Sequence, residues 1–327
     1  LEMRHRLRAA LGRPRDLDAA SRRFIRDFLR GRSRRVFRFG RAWESWRSGR
    51  LRGVRESATS LPALADALGA ALAEPRSGDR RGGRSQISVH CEGPQGLIVK
   101  RITSATRTRA AVDLLRGSPA LRGFRIGQRL ALLGSLSARP LAALEERNRG
   151  RPVQSWLIMQ SVGLCDLDAY RPHCEREARR CAIALARWIA EWQVWGIDHR
   201  DLKAGNIRVD DRDGEFRFWL IDLEDVRFRR RVSDAARRRA LVQLNSSLAD
   251  EAFSLRSRLL GLDAYLKRLP FEGTQRNALA RAIARDSVAR NHHWRGDDCE
   301  DTEKWPRGPD LIRLELRANA SRPGRSR

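Results

Sequence analysis

The stretch GIDHRDLKAGNIRV (residues 196–209), followed by FWLIDLEDV (residues 218–226), decides the fold of this chain. The short run IRV and the alternating run FRFWLID predict two strands, and the DDRDGE between them predicts a turn, so together they indicate a hairpin. Asp201 and Asn206 belong to the loop before this hairpin, and Asp222 stands at the end of its returning strand. We therefore expect the hairpin to bring these three polar side chains together.

The side chains on these two loops are the set that a phosphoryl-transfer site needs. One carboxylate accepts the proton of an attacking hydroxyl, an amide oxygen and a second carboxylate hold Mg²⁺, and a cation such as Lys203 neutralises charge. The letters HRDLKAGN match the pattern H-R-D-x-x-x-x-N of the protein-kinase catalytic loop. Lys100, far upstream, ends an apolar strand LIVK behind a Gly-rich loop and a predicted hairpin. The order of these features favours kinase-like chemistry.

The basic residues of the chain are almost all arginines. The formal net charge is +27, yet only four of the 67 basic residues are lysines. Lysine supplies a compact point charge that the planar guanidinium group does not. Two of the four lysines, Lys100 and Lys203, occupy the phosphate-binding lysine positions of the kinase pattern. The other basic residues are dispersed without an aromatic-basic motif, so they attract polyanions in general and do not indicate nucleic acid as the partner.

Several segments together resemble the lipopolysaccharide kinase family, the bacterial Kdo and heptose kinases of the lipid A inner core. They are HRDLKAGNI, LIDLEDVRF, the later LVQLNSSL and the central block ALRGFRIGQRLALLGSLSARPLA, and the resemblance covers roughly residues 85–290. A eukaryotic-type protein kinase would continue Asp222 with Phe-Gly, an activation segment and Ala-Pro-Glu, whereas here only 105 residues follow it. These differences predict an abbreviated C-terminal lobe.

The resemblance implies an ATP- and Mg²⁺-dependent kinase that transfers the γ-phosphate to a sugar hydroxyl of the lipopolysaccharide inner core, either Kdo or heptose. Its partners would be a lipid-linked anionic saccharide acceptor and the anionic surface of the inner membrane, and no nucleic acid is expected. The implied location is cytoplasmic, as a peripheral protein on the inner membrane. Five cysteines without a CxxC pair fit a reducing cytoplasm, and neither a transmembrane span nor a secretory signal is predicted.

The resemblance also assigns roles to five residues of this sequence. Asp201 would be the catalytic base, and Lys203 would contact the γ-phosphate. Asn206 and Asp222 would be the metal ligands. Lys100 would bind the α- and β-phosphates of the nucleotide.

One departure from the kinase pattern concerns the partner of the strand lysine. Kinases pair this lysine with a helix glutamate, but residues 101–134 contain Asp113 as their only acid, and Gly123 stands in the place of the glutamate. Either Asp113 or a more distant acid such as Glu145 substitutes, or Lys100 is unpaired.

Further departures lie at the Gly-rich loop and after the hairpin. The loop PRSGDRRGGR (residues 75–84) lacks the spacing G-x-G-x-x-G, so Gly82 and Gly83 either cover the nucleotide phosphates or belong to a plain surface loop. Glu224 and Asp225 either hold a second metal ion or cap the basic segment that follows. These departures keep open a catalytically weak pseudokinase or anionic-membrane-binding protein. The letters HRDLK keep open a second alternative, a Ser/Thr protein kinase-like enzyme.

We predict an α+β, protein-kinase-like two-lobe fold with a small antiparallel N-terminal sheet and an abbreviated helical C-terminal lobe. Residues 1–35 form a basic amphipathic N-terminal extension, residues 36–160 the N-lobe, residues 161–303 the C-lobe and residues 304–327 a polar tail. Within the C-lobe, apolar residues at a four-then-three spacing predict a long, half-buried helix over residues 174–195.

Shorter patterns predict the other elements. Ser60 opens a helix, residues 85–100 form a hairpin, and Ser118 is the N-cap of a second helix with proline at its first position. The runs LSARPLAALEE and QSWLIMQSV predict two strands. From residue 235 onward the chain is predicted to be mostly helical.

Overall fold

The computed structural model of this protein describes residues 42–73, 85–90, 96–103, 113–114, 117–131, 133–134, 137–212, 214–269 and 273–290. The chain divides into two compact units. The first comprises Leu1–Gly163 with Trp219–Val226, and the second comprises Leu164–Phe218 with Arg227–Arg327. The predicted N-terminal extension and polar tail lie outside the described residues, and the predicted domain boundaries stay a prediction.

A six-stranded antiparallel sheet forms the centre of the first unit. Its strands are β1 (Trp43–Ser48), β2 (Leu51–Glu56), β3 (Ser85–His90), β4 (Leu97–Thr103), β5 (Pro140–Asn148) and β6 (Arg151–Gln160). They follow the order β1-β2-β5-β6-β4-β3, and each neighbouring pair is antiparallel. The predicted hairpin is formed by β3 and β4, and the runs LSARPLAALEE and QSWLIMQSV overlap most of β5 and β6, so these predictions are confirmed.

Helix α1 (Leu61–Ala73) covers one face of this sheet. Its residues Leu64 and Leu68 are one helical turn apart, and both are buried. They belong to one hydrophobic core with Trp156 and Ile158 of β6. Because the burial of one leucine side chain contributes about 2 kcal/mol, this core holds the helix on the sheet.

Helix α2 (Pro119–Ala131) lies on the opposite face of the sheet. Successive residues of a strand point to opposite faces, so Leu157 of β6 points away from the core under α1. A Cβ atom on Gly123 of α2 would lie 3.0 Å from Leu157 Cδ2, which places the helix against this second face. At the start of the helix, Ser118 Oγ accepts a backbone N–H bond at 3.4 Å, as predicted for an N-cap.

Long helices dominate the second unit. They are α3 (Glu175–Val194), α4 (Asp234–Asn245), α5 (Leu255–Arg268) and α6 (Gly273–Ala289). Helix α3 is the predicted long helix, and its buried stripe includes Cys181, Leu185 and Trp192. Helix α5 approaches α3 closely, because a Cβ atom on Gly261 would lie only 3.0 Å from the backbone oxygen of Ala182.

Short strands frame the HRDLKAGN loop. They are β7 (Cys165–Asp166), β8 (Ile197–His199), β9 (Ile207–Asp210), β10 (Arg217–Leu220) and β11 (Val226–Phe228). Strand β9 lies between β7 and β10 in a three-stranded sheet, and β8 pairs with β11. Strands β9 and β10 are the predicted hairpin, which is therefore confirmed.

The observed architecture agrees with the predicted α+β class. The antiparallel sheet occupies the N-terminal part of the described chain, and the part after residue 164 is mostly helical. Of the helices that the structure describes, none is long and apolar enough to cross a bilayer.

Candidate active site

Lys100 is buried in the sheet of the first unit. It lies on β4, between β3 and β6, and its Cα partner on β6 is Leu157. Only 5% of the residue is exposed. Because cross-strand partners point to the same face, Lys100 lies on the face that carries α2. A buried ammonium group destabilises a fold unless carboxylates neutralise it.

Two carboxylates from one segment neutralise Lys100. Its Nζ atom lies 2.9 Å from Asp222 Oδ1 and 2.9 Å from Glu224 Oε1. Both acids belong to the short segment between β10 and β11. Burial alone lowers the pKa of Lys100, but the two carboxylates more than offset this effect, so its pKa is raised above the ordinary value. Lys100 is therefore a charged group at neutral pH.

Glu224 has a carboxyl group with a shifted protonation equilibrium. Burial raises its pKa, Lys100 opposes that effect and the neighbouring Asp222 adds to it, so that the pKa of Glu224 rises to about 7. The protonation of Glu224 is therefore linked to the charges of Lys100 and Asp222.

The two acids considered as substitutes for the helix glutamate are engaged elsewhere. Asp113 Oδ1 lies 2.5 Å from Arg122 Nη1, and Glu145 Oε1 lies 2.5 Å from Arg147 Nε. The expectation that one of these acids pairs with Lys100, or that Lys100 is unpaired, is therefore wrong. The partners come instead from the segment after β10, which is remote in sequence but adjacent in the fold.

Asp201, Lys203 and Asn206 share one short loop of the second unit. Strand β8 ends at His199, and a 3₁₀ helix (Ala204–Asn206) leads into β9. Lys203 Nζ lies 3.0 Å from Asp201 Oδ2. Asn206 Nδ2 donates to the backbone oxygen of Asp201 at 2.7 Å and to Oδ2 at 3.3 Å. The loop thus holds one carboxylate between an ammonium group and an amide.

The predicted metal ligands have the oxygen chemistry that Mg²⁺ requires. Because the amide nitrogen of Asn206 donates to Asp201, its amide oxygen is turned away from Asp201 and keeps its acceptor capacity. Asp222 contributes a carboxylate. Hard divalent cations bind carboxylate and amide oxygens, so each of the two side chains fits such an ion.

Contacts within the second unit hold the loop in place. The backbone N–H of Asp201 donates to His199 Nδ1 at 3.2 Å, and His199 is buried. The backbone N–H of Ala204 donates to Ser247 Oγ at 2.8 Å. The side chains that act on the loop therefore come from the strand before it and from the LVQLNSSL segment.

Asp198, three residues before Asp201, anchors the strand that precedes the loop. Its side chain is fully buried, and it accepts hydrogen bonds from Arg229 Nε at 2.7 Å and Arg239 Nη2 at 3.0 Å. Both arginine side chains remain nearly half exposed. One buried carboxylate thus binds two arginines from separate elements.

The structure brings the predicted residues together in two groups, each within one unit: Lys100 with Asp222, and Asp201 with Lys203 and Asn206. Gly82 and Gly83 lie outside the described residues, so their predicted contact with nucleotide stays a prediction. Sequence reasoning missed Glu224 as the partner of the strand lysine, and it did not consider Asp198 or Ser247.

The model of the Lipopolysaccharide kinase (Kdo/WaaP) family matches residues 72–265, which is more than half of the chain. The chain belongs to this family. It is therefore a phosphotransferase with a kinase-like fold, and the predicted family, fold class and enzyme class are confirmed. No curated protein matches the sequence.

Two solved structures are similar to this chain at low sequence identity. One is described as "WaaP in complex with acyl carrier protein"; it is 20% identical, with 64% of this chain and 87% of that chain covered and a TM-score of 0.48. The other is an aminoglycoside-3'-phosphotransferase of type VIII, 18% identical, with 67% of this chain and 97% of that chain covered and a TM-score of 0.40.

Proposed function

We propose that this kinase transfers the γ-phosphate of ATP to a sugar hydroxyl of the lipopolysaccharide inner core, on Kdo or heptose, with Asp201 as the catalytic base. The observation that carries the proposal is the HRDLKAGN loop, in which the Asp201 carboxylate lies between Lys203 and Asn206. Membership of the lipopolysaccharide kinase family supports the acceptor class.

Asp201 is suited to accept the proton of an attacking hydroxyl. Its Oδ2 atom is engaged by Lys203 and Asn206, which orients the carboxyl group and leaves Oδ1 for the acceptor. About a third of the side chain is exposed (38%), so a substrate hydroxyl can reach it. A positioned general base of this kind accelerates a reaction by roughly 10² to 10⁴.

The two lysines would bind the phosphates of ATP. The ammonium group of Lys100 has three N–H donors, of which Asp222 and Glu224 accept two, so one donor is available for an α- or β-phosphate oxygen. Lys203 is half exposed (50%) and would contact the γ-phosphate. Both charges stabilise the transferred phosphoryl group.

Asn206 and Asp222 would hold Mg²⁺ through their amide and carboxylate oxygens. A bound Mg²⁺ ion neutralises charge on the phosphates during transfer. In this scheme the base, Asp201, and the metal ligands are different groups.

The acceptor would be a lipid-linked anionic saccharide at the anionic surface of the inner membrane, where the enzyme would act from the cytoplasmic side as a peripheral protein. The net charge of +27 supports this assignment, because arginine forks bind phosphate groups bidentately and basic surfaces are attracted to anionic leaflets.

The test offers γ-labelled ATP and Mg²⁺ to the full-length enzyme, with purified lipopolysaccharide core lipid in one reaction and generic protein substrates in the other. We expect label in the lipid, and we expect Asp201→Asn to lower its kcat by about 10² to 10⁴. Label only in protein would contradict the proposal in favour of a Ser/Thr protein kinase. The absence of any ATP turnover would indicate a pseudokinase.

A matched control is Asp166→Asn, which neutralises another carboxylate of the second unit. Asp166 is partly exposed (40%) and pairs with Arg208 at 3.1 Å. We expect this variant to keep the activity of the wild type. Circular dichroism of both variants separates a lost catalytic group from a lost fold.

A further inference from the structure

The partner of the strand lysine differs from the kinase pattern in this chain. Protein kinases pair that lysine with a glutamate of the helix that packs on the sheet. The corresponding helix here, α2, contains no acidic residue. Gly123 of α2 faces Leu157, the cross-strand partner of Lys100, so the helix lies on the correct face but offers no carboxylate there.

Glu224 stands where the missing carboxylate is needed. Its Oε1 atom lies 2.9 Å from Lys100 Nζ, at the same distance as Asp222 Oδ1. The side chain of Glu224 is only 20% exposed, and that of Lys100 only 7%, so the pair is shielded from water and its attraction is strong. Asp113 and Glu145, the two acids that the sequence offered as substitutes, are already paired with arginines.

We propose that Glu224 is a positioning residue that replaces the helix glutamate and holds the ammonium group of Lys100 in place for the nucleotide phosphates. The inference rests on the proposed function, because it assumes that Lys100 binds phosphate. Asp222 cannot serve this purpose alone if its carboxylate is needed as a metal ligand. Glu224 then remains as the carboxylate that keeps Lys100 extended from β4 toward the nucleotide.

This arrangement makes Lys100 independent of the position of α2. In a kinase with a helix glutamate, movement of that helix breaks the ion pair and controls activity. Here Lys100 belongs to the sheet, and Glu224 belongs to the segment that carries Asp222. The lysine is therefore oriented by the same segment that supplies the proposed metal ligand.

A double-mutant cycle on ADP binding tests the proposal. Isothermal titration of ADP in EDTA, without divalent metal, is carried out on the wild type, Glu224→Gln, Lys100→Met and the double variant. Because Glu224 acts through Lys100, we expect Glu224→Gln to weaken ADP binding on the order of tenfold in the wild type, and to have no further effect in the Lys100→Met background. An equal loss in both backgrounds would overturn the proposal.

The same set of variants separates a metal-ligand role from a positioning role. If Glu224→Gln changes ADP binding only when Mg²⁺ is present, Glu224 is a metal ligand and the positioning role is excluded. If Lys100→Met leaves both ADP binding and ATP turnover intact, the proposed function itself fails. If Lys100→Met lowers both but Glu224→Gln lowers neither, only the present inference fails.

Glu145→Gln is the matched control, because it removes another buried carboxylate of the same unit that pairs with Arg147 and not with Lys100. We expect its ADP affinity to equal that of the wild type, and an equal loss would show a general effect of buried charge. Glu224→Met is the second variant if Glu224→Gln does not fold, since Asp222 still pairs with Lys100 when Glu224 is replaced. Unchanged ADP binding in a folded Glu224→Met variant would contradict the proposal.

Discussion

At the scale of single residues, Asp198 is a buried carboxylate that two arginines stabilise. It is fully buried, and its two oxygens accept hydrogen bonds from Arg229 and Arg239. A buried carboxylate is unfavourable unless charged donors satisfy it. The arginines are nearly half exposed, so water can solvate them when the carboxylate is removed.

We expect Asp198→Asn to destabilise the protein by about 2 kcal/mol, because an amide of the same shape loses two charge-assisted hydrogen bonds and places an NH₂ group against the guanidinium donors. Urea denaturation followed by circular dichroism measures this change. Asp166→Asn, in which a partly exposed ion pair is lost, should change the free energy of unfolding by less than about 1 kcal/mol. Equal effects of the two variants would show that burial of Asp198 contributes nothing.

The candidate site was predictable from the sequence where chemistry restricts residue type. Lys100 and Lys203 stood out because the chain uses arginine at almost every other basic position. The Asp201 loop followed from HRDLKAGN alone. The pairing of Lys100 with Glu224 was not predictable in the same way, because the two residues are 124 positions apart and meet only through the packing of β4 with the segment after β10.

At the scale of elements, prediction succeeded where the pattern was periodic. Helices α1 and α3 and the strands β4 and β6 are amphipathic or continuously apolar, and the sequence located all four. Strands β1 and β2 were not predicted, since WESWRS and LRGVRE interleave arginines and a glycine with few apolar residues. Their pairing with each other and with β5 outweighs this weak local preference.

Gly196 is the residue that connects α3 to the HRDLKAGN loop. Its φ is +85°, and a Cβ atom added to it would lie 2.2 Å from the backbone oxygen of Arg229. We expect Gly196→Ala to destabilise the protein by about 3 kcal/mol or more, because it adds a clash with backbone to the cost of a positive φ. Chemical denaturation measures the change.

Gly150 provides the control for the conformational part of this effect. Its φ is +80°, but a Cβ atom there would meet nothing within 4 Å. Gly150→Ala should therefore lower the free energy of unfolding by only about 1 kcal/mol, which is the cost of the left-handed conformation alone. If the two glycines tolerate alanine equally well, the close approach of Arg229 to Gly196 does not constrain the loop.

At the scale of the whole molecule, the excess of positive charge makes the carboxylates important for stability. The formal net charge is +27, so each aspartate or glutamate relieves repulsion among the arginines. Contacts with arginines lower the pKa of several carboxyl groups. The guanidinium group of Arg238 holds the pKa of Asp286 below its usual value, and Arg212 does the same for Asp210.

These shifts predict that acid destabilises the protein. A carboxyl group whose pKa is lower in the folded state stabilises the fold above its unfolded pKa, near 4, and loses that contribution as the pH falls through its folded pKa. The thermal midpoint should therefore fall steeply below about pH 4, and added sodium chloride should reduce the fall by screening the repulsion between arginines.

The variant Asp286→Asn isolates one contribution, the ion pair that joins α6 to Arg238 of α4. It should unfold at a lower temperature than the wild type at neutral pH, and the two midpoints should converge in acid, where Asp286 of the wild type is itself neutral. A difference between the two proteins that stays constant from neutral pH to below the folded pKa would show that the charge of Asp286 does not stabilise the helical unit.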